Sequence, residues 1–152
     1  MGQMMILVFL ILRIKMKYTQ IKNQTYRQYK RTKKVYCPYL KADIIFSSQG
    51  FWHLIYTGRN EKREKRTQLL RFKLFSKAVK LLSITTTLQE FEERKEIKTV
   101  YFGFIAIIGE WKIKTIVKRT GNGEYTFWSV IPNWVTNVKR DRKFCKGNME
   151  KD

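Results

Sequence analysis

The sequence predicts a single α+β domain in which helices pack on a three- to four-stranded antiparallel β-meander, preceded by a basic N-terminal arm. Three observations predict it. Leu70, Leu74, Ala78 and Leu82 recur at helical spacing with Phe75 and Val79 alongside, the pattern of one apolar helix face. Three runs rich in β-branched and aromatic residues, 97–108, 111–119 and 124–131, are separated only by Gly109-Glu110 and Gly121-Asn122-Gly123, which is the turn chemistry of strands that pair with their neighbours. A length of 152 residues suits one domain with a real core.

The elements follow in chain order. Residues 1–34 form the basic extension, and within it residues 17–34 interleave Tyr18, Tyr26 and Tyr29 with Lys22, Arg27, Lys30, Arg31, Lys33 and Lys34, without a strong apolar stripe. Such a segment is expected to be mobile or to order only on binding. Residues 35–134 form the folded domain. Residues 43–47 read as a short strand around Ile44, Ile45 and Phe46, and Ser47 or Ser48 then offers a cap for a short helix carrying Phe51, Trp52, His53, Leu54 and Ile55, which Gly58 ends. The long helix is expected over 60–82, with Arg63, Arg66, Arg71, Lys73, Lys77 and Lys80 on its polar face. Residues 83–96 are a transition in which β-branched residues 84–87 allow a strand, and they hold an acidic cluster, Glu90, Glu92, Glu93 and Glu96, expected as a solvated turn or a counterweight to the basic helix. In the last strand, alternation places Tyr125, Phe127, Ser129 and Ile131 on one face and Thr126, Trp128 and Val130 on the other. Residues 135–152 read as a charged tail.

Charge narrows the partner. Lys and Arg number 32 against 12 Asp and Glu, a formal charge of +20, and a chain this basic suits a polyanionic partner. The first 42 residues carry ten basic residues and no acidic one. Cys37 and Cys145 make neither a CxxC pair nor a metal spacing, so the sequence predicts reduced thiols in the cytoplasm, no metal and no cofactor. Gly121 and Gly123 match no nucleotide-binding loop.

Residues 4–12 are nine uninterrupted apolar residues followed by Arg13, Lys15 and Lys17. Nine residues cannot span a bilayer, which takes about 20. The stretch lacks the charged lead and small-residue cleavage site of a secretory signal, and Ile6 stands where a myristoylation motif requires Ser or Thr. It reads as a short membrane-surface anchor, a buried first strand or helix, or residues ahead of a true start at Met16.

His53 is the only histidine, so any imidazole acid–base chemistry belongs to it. A paired imidazole within the core is the structural alternative. Arg59 follows the short helix and suits a phosphate, while Lys118, Arg119, Thr126 and Ser129 come from the meander. Together these side chains would supply proton transfer, charge stabilisation and positioning for metal-free phosphodiester cleavage. Lys33, Lys34, Arg63, Arg66 and Lys118 would meet phosphates, and Trp52 and Trp128 would stack on unpaired bases. The same surface would equally serve a non-enzymatic RNA- or DNA-binding protein.

The run Ile44-Ile45-Phe46-Ser47-Ser48-Gln49-Gly50-Phe51-Trp52-His53-Leu54, then Arg59, Arg119 before Gly121-Asn122-Gly123, and Phe127-Trp128-Ser129-Val130-Ile131-Pro132 resembles the small ribonuclease domains of the barnase, EndoU, colicin D and RelE superfamily. The likeness covers roughly residues 35–134, is nearest to the phage-associated nuclease-like members, and lies in the order of elements. It implies a toxin-like, metal-independent RNA endonuclease with His53, Arg59, Arg119 and Ser129 as catalytic residues, acting on tRNA, mRNA or ribosomal RNA. It also implies an acidic, antitoxin-like protein partner. Asn60 stands where related members tend to show a second histidine.

Overall fold

Residues 2–133 are described in the computed structural model, and the first element is a helix longer than any the sequence pattern predicts. Helix α1 spans Gly2–Thr32, followed by β1 (Lys34–Cys37), β2 (Ala42–Ile45), α2 (Ser48–Ile55) and α3 (Lys65–Ile84). Strands β3 (Glu90–Arg94), β4 (Thr99–Ile108), β5 (Trp111–Thr120) and β6 (Tyr125–Asn133) complete the chain order, with a 3-10 turn at Lys95–Ile97. The sheet has six strands in the order β1-β2-β6-β5-β4-β3. The protein is thus α+β, three helices on a mostly antiparallel sheet.

The meander forms as expected, and three further strands extend it. β3 pairs antiparallel with β4, so Glu90, Glu92 and Glu93 lie on an edge strand and Glu96 falls in the turn that follows it. The β1–β2 hairpin joins the other side, where β2 runs parallel to β6 through Ile44 opposite Tyr125 and Ile45 opposite Thr126. β1 escapes sequence reading because it is four residues long and opens on a lysine, although Val35 and Cys37 alternate inward. Burial raises the Cys37 thiol pKa.

The second half of α1 belongs to the core and not to an arm. Tyr18, Ile21, Thr25 and Tyr29 lie three and four residues apart on one face and pack toward α3. The Tyr18 hydroxyl donates to Oε1 of Gln68, and Tyr29 meets Phe46, Phe51, Phe75 and Phe127 with ring centroids 5.2–6.1 Å apart. The main core continues through Leu54, Phe72, Leu82, Phe104, Ile113, Val117 and Val130. Residues 4–12 contrast with this: they are helical, and their side chains remain 46–76% exposed. Among the described residues, residues 4–12 are therefore not a buried strand or helix.

The long helix begins at Lys65 rather than near residue 60. Asn60 takes a left-handed φ of 61°, and the Thr57 hydroxyl accepts hydrogen bonds from the backbone N–H groups of Arg59 and Glu61, both at 3.3 Å. A tight turn thus replaces the first helical residues, and the Arg63 N–H returns to the Ile55 carbonyl at 2.8 Å. Helix α2 stops at Ile55, before Gly58, and Ser47 occupies its cap position without a capping side-chain bond.

Gly50 sets how closely α2 lies on β6. A Cβ there would sit 2.7 Å from the Phe127 carbonyl oxygen and collide with the Tyr29 hydroxyl. Gly50→Ala is expected to lower stability by about 2 kcal/mol despite alanine's better helix propensity. Chemical denaturation of the purified variant measures it, and an unchanged midpoint would show that α2 can retreat from β6.

Candidate functional site

The site forms where α2 and the start of α3 meet β5 and β6. His53 leaves α2 from its buried side and is 3% exposed. Its ring stacks on Trp128 with centroids 4.4 Å apart and planes 23° from parallel. Trp128 owes its position to a β-bulge: Ile116 faces Ser129 and Val117 faces Phe127, leaving Trp128 as the extra residue. The simple alternation expected for β6 therefore fails across residue 128. Phe127 and Val130 both enter the main core, while Ile131 joins Tyr101 and Ile116 in a second cluster against which Trp128 packs.

Cations enclose this stack. The Lys118 ammonium sits 4.3 Å from the Trp128 ring centroid, an attractive cation–π geometry. The Arg63 Nε donates to the His53 carbonyl oxygen at 3.2 Å. Arg71, only 5% exposed, donates through Nη1 to the Ser129 hydroxyl at 2.7 Å and to the Val130 carbonyl at 2.9 Å. Burial first, and then the charges of Arg63, Arg71 and Lys118, lower the His53 pKa to about 3. The imidazole is therefore neutral at physiological pH. Its Nε2 is buried with no hydrogen-bond partner among the described residues, and so is Nε1 of Trp128. Buried polar atoms are nearly always paired.

Of the residues singled out in the sequence, His53, Ser129, Arg63, Lys118 and Trp128 belong to this cluster. Arg59 is exposed on the turn after α2, and Arg119 points elsewhere: its Nε donates to the Gly123 carbonyl at 2.9 Å, and its guanidinium lies over Tyr125 at 4.8 Å. Neighbouring positions on a strand face opposite sides, so Lys118 at the stack excludes Arg119 from it. Arg71, expected on the polar face of the long helix, is the residue sequence reasoning misplaced. Its signal was phase, since 71, 75, 78 and 82 continue the buried stripe and an arginine there must find acceptors.

The surface residues lie apart from the cluster. Lys33 is exposed at the junction of α1 and β1 with a φ of 53°, Lys34 pairs with Asp43 at 3.3 Å, and Arg66 is exposed in the first turn of α3. Trp52 is 53% exposed and stacks on Tyr56 with centroids 4.0 Å apart, which leaves one indole face to solvent. Two acidic residues turn inward: Glu90 binds Lys114 at 2.9 Å, with the lysine side chain fully buried, and Glu92 binds Arg94. Among the described residues, no three His, Cys, Asp or Glu side chains come together as a metal-binding set. Trp134, Cys145 and the expected tail lie outside the described residues.

Comparison with family models, curated proteins and solved structures yields no match to this chain.

Proposed function

We propose that the protein binds RNA and cleaves it without a metal ion, with the His53 cluster as the reaction centre: a 2′-hydroxyl gives its proton to His53 and attacks the adjacent phosphate, the bond to the 5′-oxygen breaks, and that oxygen leaves as a hydroxyl on taking the proton back, giving a 2′,3′-cyclic phosphate. One observation carries this reading. A neutral imidazole, its Nε2 buried with no partner among the described residues, sits among cations from α3, from the turn before it and from β5, beside an arginine-bound hydroxyl. That set contains a proton acceptor, cations for the charge of a phosphorane and a positioning hydroxyl. A phosphate entering the cluster would offset the cationic part of the pKa depression and make His53 a better base. The net charge of +20 would draw RNA to the surface, and the Trp52–Tyr56 pair offers a base a stacking face. An acidic protein shielding this surface is the matching inhibitory partner.

A second reading, RNA or DNA binding without cleavage, is favoured by the depth of His53, since a 3% exposed imidazole with a pKa near 3 is a poor acid–base catalyst as it stands.

The test is incubation of a mixed tRNA, ribosomal RNA and mRNA pool with the protein in EDTA, with the 3′ ends read chemically. The expected result is cleavage leaving cyclic phosphates, reduced about 100-fold or more in His53→Ala while RNA affinity changes only a few fold. Equal cleavage by the variant would sink the imidazole mechanism. No cleavage with intact, salt-sensitive binding would establish the second reading.

A further inference from the structure

Residues 4–12 of α1 are apolar on every side and meet nothing among the described residues that covers them. From Met4 to Leu12 every side chain is large and hydrophobic, and the exposed set continues with Ile14 and Met16. A helix that docks in a protein groove or pairs with a second copy needs one apolar stripe and a polar back. Residues 4–12 have no polar back. Their only polar boundary is axial, with Gly2 and Gln3 at one end and Arg13, Lys15 and Lys17 at the other.

We propose that residues 4–12 insert into the outer hydrocarbon of an anionic lipid bilayer, with Arg13, Lys15 and Lys17 at the level of the headgroups. The surroundings that suit a helix apolar all round are lipid chains, and a basic collar with no acidic residue among the first 42 residues is complementary to anionic headgroups. Length fixes the mode. Nine residues rise about 14 Å, roughly half the hydrocarbon thickness, and no described helix is long and apolar enough to cross a membrane. The apolar length and the basic collar form a two-part anchor, the combination that stable attachment requires.

The experiment is co-sedimentation of the full chain with vesicles of phosphatidylcholine alone and with about a third phosphatidylglycerol. The expected result is binding to the anionic vesicles that partly survives high salt. Leu7→Gln/Leu10→Gln leaves the charge unchanged and alters two side chains more than half exposed, so it should melt like the parent. It should bind the vesicles about tenfold or more weakly and lose the salt-resistant fraction. Equal vesicle binding by the double variant would overturn the proposal, because adsorption would then come from the basic body alone. So would a parent chain that stays in the supernatant, including one that is dimeric and becomes monomeric on the same substitutions.

Discussion

Lowering the pH from neutral to about 4 is expected to remove about 3 kcal/mol of folding stability through His53 alone. In the unfolded chain this imidazole protonates near 6.5, whereas in the folded protein it does so near 3. Between those values the unfolded state holds one more proton, so stability falls as the pH falls. Above about 6.5 the group is neutral in both states and contributes no slope. The loss is complete only well below pH 3, at about 5 kcal/mol. Urea titrations of the parent and of His53→Gln at a series of pH values isolate the effect, since the two proteins differ only in that side chain. A parent curve parallel to that of the variant would show that the imidazole reaches water in the folded state.

Tyr29→Ala is expected to lower stability by about 3–5 kcal/mol and the melting temperature by about 10 °C. The ring touches Phe46, Phe51, Phe75 and Phe127, and its hydroxyl donates to the Ser47 carbonyl ahead of α2. One side chain thereby ties α1 to α3, β6 and the entry of the site helix. Tyr29→Phe keeps the ring and should lose only about 1 kcal/mol. Calorimetry of the two variants separates packing from the hydrogen bond. A small loss for both would return residues 18–32 to the status of an appended arm.

Much of the fold was legible in the sequence. The meander was readable because its strands are nine or ten residues long, rich in β-branched and aromatic side chains, and are joined by turns at Gly109 and Gly121, both of which take positive φ. The α3 stripe was readable from Leu74, Ala78 and Leu82 for the same reason: the pattern is long and local. The α1 stripe was less visible because its members, Tyr18, Thr25 and Tyr29, carry hydroxyls and stand among cations. Whether a tyrosine enters a core depends on an acceptor for its hydroxyl, and Gln68 and the Ser47 carbonyl are distant in sequence.

The candidate site divides along the same line. Sequence alone marked out His53, Lys118, Trp128 and Ser129, because a unique imidazole and a strand mixing aromatic, basic and hydroxyl residues stand out by residue type. It also determined the +20 charge and the apolar run of residues 4–12, which depend on composition and not on contacts. Tertiary structure decided which arginines attend the imidazole. The turn at Asn60 leaves Arg59 in solvent and brings Arg63 to the His53 carbonyl, while the phase of α3 buries Arg71 against Ser129. It decided the bulge at Trp128, which needs the register of β5 as well as β6, and it decided that residues 4–12 lie exposed. Local patterns fix periodicity and turns, but the face a side chain meets is set by partners far along the chain, and only packing brings those together.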